Sequence, residues 1–418
     1  MSRENRLLLI LFLSFGFVFF DRQALAFLAP QIGRDFPLSN TELGLLSGVL
    51  ALTWALSGMF AGRISDRLGI RKPILVTAVV LFSVFSAMSG LMTGFAGLLV
   101  ARALMGIAEG AVLPVAQSLM MDASSTHRRG LNMGLVQGSS AGLLGGIACP
   151  LVVVPLAEAY GWRTAFYVTI VPGLLLAVWI AKSVRDRPAA PRPVPEVPRK
   201  PVKSRENVTE KVTLRQILAH RNVLLCMLAA CCYLTWFVVI ITFTPSYLTT
   251  VKGFSSGTMS AVMTCFGVAW VLWGFLTPAI SDRIGRRRSM IWFSAIAAAC
   301  PVLVVFVENP VLLGVLVILT YTGLGCFTLF MATIPAETVP PSALAGTLGL
   351  VMGVGELAGG VFGPIIAGRA SDAWGLSAAM FIAAGGALLV ALLSCWLKET
   401  APMLHLRKGR TPIAEAAG

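Results

Sequence analysis

Long apolar stretches follow one another along the chain, separated by short polar segments. They cover about 7–29, 42–62, 73–93, 96–121, 130–154, 163–184, 221–249, 257–280, 289–307, 310–334, 343–370 and 376–397. At a helical rise of about 1.5 Å per residue, roughly 20 apolar residues cross the hydrocarbon core of a bilayer. Each stretch therefore predicts one transmembrane helix, twelve in all. The first is too long and too charged for a cleavable signal peptide, and no small-residue cleavage site follows a short core. Between the sixth and seventh stretches the pattern breaks into RDRPAAPRPVPEVPRKPVKSRENVTE, where proline and charge predict a semi-extended linker. The expected organisation is a six-helix bundle over 1–184, a cytoplasmic linker over 185–216, a second six-helix bundle over 217–400 and a cytoplasmic tail over 401–418.

Composition agrees: 56% of residues are hydrophobic and 12% charged, with a mean hydropathy of +0.82, against about 25% charged in soluble proteins. The formal net charge of +14 would suit a nucleic-acid partner, but its distribution excludes one. Basic residues gather in alternate connections: Arg63, Arg67, Arg71 and Lys72, then Arg128 and Arg129, then eleven within 182–221, then Arg283 and Arg286–Arg288, then the tail. The other connections carry almost none. This is the positive-inside pattern, and it places both termini in the cytoplasm, with anionic lipid contact as a further consequence. One connection departs from it: Ala336–Ser342 is cytoplasmic by count yet holds Glu337 and no base.

Little else points to chemistry. All eight cysteines fall within the predicted spans without metal-ligand spacing, so they read as small apolar residues, with no disulfide expected. The three histidines lie in loops or the tail, and no metal or cofactor is expected. No phosphate-cradling GxxxxGK[ST] and no nucleophile–base constellation occurs, which argues against ATP-driven transport and against an enzyme.

The two halves repeat. Gly145-Gly146-Ile-Ala-Cys-Pro150 recurs as Gly359-Gly360-Val-Phe-Gly-Pro364, an offset of 359 − 145 = 214, and Tyr160-Gly161 recurs as Trp374-Gly375. Ile64–Gly69 recurs as Ile280–Gly285 at 216. A half-chain repeat disfavours a channel or a receptor and matches a parallel-repeat transporter. In the loop between spans 2 and 3, Gly62, Asp66, Arg67, Gly69 and Arg71 stand in a pattern that resembles the signature loop of the major facilitator superfamily. Its second copy keeps Asp282, Arg283, Gly285 and Arg286, with Pro278 where glycine is usual. The resemblance covers the whole chain. It implies an all-α integral membrane protein, twelve helices in two pseudo-symmetric bundles, and a central cavity. The loops then act as cytoplasmic latches, in which aspartate caps a helix end and pairs with arginine until the halves rock.

Ionisable residues at mid-membrane depth are functional candidates by default. These are Asp21 and Arg22 in span 1, Arg102 and Glu109 in span 4, and Glu356 in span 11. Arg102 and Glu109 are seven residues apart, nearly two turns, and so share a helix face. Gly106 and Gly110 beside Glu109 allow close approach of another helix. Phe20-Asp21-Arg22 with Ala29-Pro30, and Arg102 through Gly106 to Glu109-Gly110 with Gly161-Trp162-Arg163, are similar to the anion:cation symporter family of organic-acid and sugar-acid:H⁺ carriers. Spinster-type lipid carriers share the Asp-Arg opening and a related fourth span. The first resemblance implies that spans 1 and 4 face each other across the cavity. It implies proton coupling at Asp21 and Glu109, and binding of an acid substrate by Arg22 and Arg102. A salt-bridge network that only fixes helix packing is the structural alternative.

Glu356 is an extra acid where an organic-anion carrier usually has a neutral polar residue. It either pairs with a neighbouring helix, lines the cavity without coupling, or takes a direct part in proton coupling or cargo choice. In the second half Tyr233, Trp236, Tyr321 and Thr322 offer aromatic faces and hydroxyls to a cargo, and in span 5 some of Gln137, Ser139 and Ser140 should face it. Two functions follow: H⁺-coupled symport of a small organic anion, or H⁺-coupled export of lipid-like or drug-like amphiphiles on the same fold. The glycine-rich SSAGLLGGIACP leaves the second open. A monomer in a bacterial inner membrane is expected in either case.

Overall fold

The computed structural model describes residues 2–68, 70–125, 128–184 and 214–401. Among them twelve helices are long and apolar enough to cross a membrane. They are α1 (Arg3–Asp35), α2 (Asn40–Gly62), α3 (Lys72–Ser89), α4 (Phe95–Ala123), α5 (Leu131–Tyr160), α6 (Trp162–Ser183), α7 (Arg221–Val251), α8 (Ser256–Ile284), α9 (Arg286–Phe306), α10 (Pro310–Thr338), α11 (Gly346–Trp374) and α12 (Ser377–Ser394). Each overlaps one apolar stretch of the sequence. In hydrocarbon a backbone group has no water to turn to, so helices satisfy theirs internally. In α8 and α10 the first N–H groups are met by short polar side chains: Ser255 Oγ accepts from Thr258 N at 3.1 Å, and Asn309 Oδ1 from Val311 and Leu312 N at 3.0 Å each.

Helices α1–α6 pack as one bundle and α7–α12 as the other. The repeat reaches the backbone. Gly161 and Gly375 end α5 and α11 with φ of 86° and 84°, a region that penalises any Cβ. Of the expected linker, residues 185–213 lie outside the described residues, and 214–216 begin a short helix, Leu214–Ala219, ahead of α7. The tail beyond Ala401 also lies outside them.

At the face opposite the N-terminus the bundles are closed on each other. A Cβ on Gly44 of α2 would run into the Pro364 carbonyl of α11. One on Gly146 of α5 would come within 2.6 Å of Gly267 Cα in α8. Ser260 Oγ of α8 donates to the Pro150 carbonyl of α5 at 2.8 Å. Asp372, near the end of α11, accepts four hydrogen bonds from the first residues of α2. They come from Asn40 N and Nδ2 (both 2.9 Å) and from Thr41 N (2.9 Å) and Oγ1 (2.5 Å). Toward the N-terminal face the bundles separate around a cavity of about 450 Å³, reached by Leu131 of α5, Phe275 of α8 and Met352 of α11.

On that face, the Ala336–Ser342 anomaly is resolved by a specific pairing. Glu337 binds Arg286 at 3.0 Å and accepts Thr400 Oγ1 at 2.6 Å. Arg286 also donates to Asp282 Oδ1 and Ser281 Oγ, both at 2.6 Å. Gly285 turns the chain with φ 103°. Asp282 and Arg283 are exposed, and Gly62 has only an ordinary contact to Pro114. Arg71 pairs with Asp122 of α4. Gly69 and the side chains of Asp66 and Arg67 lie outside the described residues.

Candidate functional site

The cavity sits at mid-depth between the bundles. Its walls are shaped by helices that leave regular α geometry where they line it. Leu135–Ser139 of α5, Leu329–Thr333 of α10 and Glu356–Phe362 of α11 form π-helical turns. Such turns re-aim side chains and recur at functional sites. They bring Gln137, Ser139, Met331 and Glu356 to the cavity, while Ser140 turns away and bonds back to Val136. Gln137 accepts a weak hydrogen bond from Gln117 at 3.4 Å.

Of the two arginines in the wall, Arg22 is the less buried. Its guanidinium carbon lies 5.8 Å from the Phe19 ring centroid and 5.4 Å from that of Trp54, and it forms no ion pair with a described residue. The rings hold the guanidinium by cation–π attraction and leave its N–H fork unused. Arg102 lines the cavity as well and donates one hydrogen bond, to the Arg22 carbonyl at 3.2 Å. Its Nε and Nη2 are buried without partners among the described residues.

The two acids of the first bundle are placed differently from the expectation of a cavity-lining cluster. Asp21 is 2% exposed and faces away from the cavity, beside Ser86 of α3 and Thr169 of α6. Adjacent residues on a helix point about 100° apart; here that step carries Arg22 and Gln23 to the cavity and leaves Asp21 on the side of α3 and α6. Glu109 is fully buried behind the wall, both its carboxylate oxygens without a hydrogen-bond partner. It senses the charges of Arg22, Asp21 and Arg102, yet no ion pair joins these four side chains. They are therefore neighbours without being a salt-bridge network. Helices α1 and α4 adjoin within one bundle, as the Arg102–Arg22 hydrogen bond requires, and do not face each other across the cavity. Gly106 and Gly110 do permit a close approach, that of α2: a Cβ on Gly106 would meet the Leu50 carbonyl at 2.6 Å.

Glu356 lines the cavity, with Oε2 buried and unpartnered. No ion pair to a neighbouring helix is present among the described residues. In the second bundle only Tyr233 of the four expected residues reaches the cavity. Trp236, Tyr321 and Thr322 are fully buried in the bundle core. The Trp236 and Tyr321 rings meet at 4.8 Å, and Thr322 Oγ1 donates to the Phe293 carbonyl at 2.5 Å. These three are packing residues of that core.

The wall uses other aromatics instead: Trp54, Phe237 and Trp270. Trp270 bridges the bundles, its ring 5.5 Å from Phe19 of α1 and 5.1 Å from Phe237 of α7, edge-on to both. The sequence held a signal for the tryptophans. Trp54-x₃-Gly58 recurs as Trp270-x₃-Gly274 at the same 216 offset as the loop copies, and Phe19 matches Tyr233 at 214. Aromatics repeated in both halves at equivalent depth mark the axis between them.

A family model for the Major Facilitator Superfamily matches residues 11–361. The chain is similar to the hexuronate transporter of Bacillus subtilis, 27% identical and covering 94% of both chains. It is 31% identical to a probable 4-methylmuconolactone transporter of Cupriavidus pinatubonensis, over 81% of this chain and 78% of that one. Among solved structures, an inward-facing, unoccupied bacterial homologue of the human lysosomal transporter Spinster superposes with a TM-score of 0.74. It is 21% identical, covers 94% of this chain and 96% of that one, and so shares the fold.

Proposed function

The chain belongs to the major facilitator superfamily, and from that premise we propose that it is a proton-coupled secondary transporter of a small organic anion. It works by alternating access in the cytoplasmic membrane of a bacterium, as a monomer with both termini and the linker in the cytoplasm. The distribution of basic loops supports that orientation. The cavity then opens to the cytoplasm, and the contacts around Asp372 close the outer side.

One observation carries the reading: Arg22 presents an unpaired guanidinium to the cavity, backed by two aromatic rings. A forked, permanently charged donor set fits a carboxylate. Arg102, tied to the Arg22 carbonyl, positions it and holds further donors in reserve. A bound carboxylate adds one negative charge to a site of low dielectric. A proton taken up at Asp21 or Glu109, directly behind the wall, restores the balance of charge, and Glu356 offers a third acceptor within the cavity. This is how cargo and proton would share one transition. The relatives named for transport of a hexuronate and a muconolactone support a small acid or its relatives as cargo.

The test is flux into proteoliposomes with an imposed pH gradient. Loss of a charged hydrogen bond costs about 1.5–3 kcal/mol, so Arg22→Ala should weaken acid binding about ten- to a hundredfold, and Arg22→Lys less. Glu109→Gln should abolish gradient-driven accumulation and leave exchange of cargo measurable, because the amide mimics the protonated acid. Export of amphiphiles draws support from the aromatic wall. In that case Arg22→Ala leaves binding of a cationic dye intact, and an Arg22→Ala protein that binds every tested carboxylate like the parent would sink the organic-anion reading.

A further inference from the structure

The organic-anion reading leaves the body of the cargo open, and the walls restrict it. Beyond the Arg22 fork, the surfaces a bound acid would touch are mostly rings and aliphatic side chains. Tyr233 and Phe237 lie parallel, 6.2 Å apart with 10° between their planes, and Trp270 stands edge-on to Phe237. Few hydroxyl and amide groups share the wall, and several of them are engaged with one another or with the backbone. Ser47 and Thr242 bond each other at 3.1 Å, Thr328 Oγ1 donates to the Gly325 carbonyl at 3.1 Å, and Gln137 is held by Gln117.

From this we infer that the cargo is a flat, apolar carboxylate, such as an aromatic or conjugated acid, and that a polyhydroxylated sugar acid is a poor ligand. The inference rests on the organic-anion reading and narrows it. The carboxylate takes the Arg22 fork, at the rim formed by Phe19 and Trp54. The body extends toward Phe237 and Trp270, where ring faces and edges supply offset and edge-on contacts. A sugar acid placed the same way would strip water from several hydroxyls and set most of them against rings and aliphatic carbon, because the uncommitted polar groups of the wall, among them Glu356 Oε2 and two Arg102 nitrogens, are too few to replace that water. The room, about 450 Å³, holds either kind of acid. Surface chemistry, and not size, makes the choice.

The experiment is equilibrium binding to the full-length protein in nanodiscs, by calorimetry and by quenching of the cavity tryptophans. The ligands are benzoate and cinnamate, their saturated counterpart cyclohexanecarboxylate, and galacturonate. The expected result is affinity for cinnamate or benzoate at least tenfold above that for galacturonate, with cyclohexanecarboxylate between them. Phe237→Leu keeps apolar volume and removes the ring, so it should erase the preference for the aromatic over the saturated ring. Trp270→Phe, which keeps a ring in place, should preserve most of it, and both variants are checked for unchanged thermal unfolding. Galacturonate binding as tightly as cinnamate or tighter, and lost in Arg22→Ala, overturns the inference while sparing the organic-anion reading. Equal affinity for cinnamate and cyclohexanecarboxylate in the parent also overturns it. Failure of every acid to bind in an Arg22-dependent manner removes the organic-anion reading itself.

Discussion

Replacing Asp372 by alanine should open the face opposite the N-terminus. The carboxylate belongs to α11, but the groups it satisfies are the first N–H groups of α2, in the other bundle, together with two side chains there. It is a helix cap supplied across the bundle interface. Its oxygens also meet the positive end of the α2 dipole. The bonds exist only while the bundles touch at this end, so their free energy biases the closed arrangement directly. Asp372 is exposed, which screens the charge, so the gain is that of an ordinary N-cap, about 1–2 kcal/mol. That corresponds to a roughly 5- to 30-fold change in the ratio of the two arrangements. Asp372→Asn keeps an acceptor and loses the charge, and should fall between. The assay is distance measurement between spin labels at Glu158→Cys and Val311→Cys, on opposite bundles at that face, in a background with the native cysteines replaced. Asp372→Ala should move population into the long-distance component. Distance distributions that coincide with the parent, with and without cargo, would refute the idea that this cap holds the gate.

Three further outcomes follow from named contacts. Gly267→Val, on the surface where α8 crosses Gly146 of α5, should block closure of that face and abolish transport, while the purified protein still unfolds cooperatively on heating; a variant with normal flux would mean that the crossing is looser than drawn. Trp236→Ala should lower thermal stability and leave the relative affinities of different acids unchanged, because the ring fills the second bundle's core. In water-soluble cores such truncations cost about 3–5 kcal/mol; here lipid is as apolar as the core, and only the packing share of that cost remains. Glu337→Gln should loosen the contact of the α10–α11 connection with Arg286 and Thr400, seen as faster hydrogen exchange at Glu399–Ala401 with cargo affinity retained.

The number of helices, their order and the division into two halves were legible in the chain because lipid imposes one simple demand: about 20 apolar residues per crossing, with backbone groups satisfied inside each helix. Candidate ions were legible for the same reason, since a charge at that depth stands out against its surroundings. Which way each side chain points was another matter. In water, an apolar stripe separates the buried face of a helix from the exposed one. In a bilayer, core, lipid and cavity wall all accept the same residues, so periodicity carries no direction. Tyr233 and Trp236 look alike in sequence, yet one reaches the cavity and the other fills the core. Asp21 and Arg22 look like a pair, but a helical turn of about 100° per residue sends them to different neighbours. Trp270 gained its place between Phe19 and Phe237 only when the two bundles came together. Asp372 found its partners 331 and 332 residues away along the chain. Those assignments depend on how two rigid bundles meet, a property of surfaces distant in sequence, and only the tertiary structure decides them.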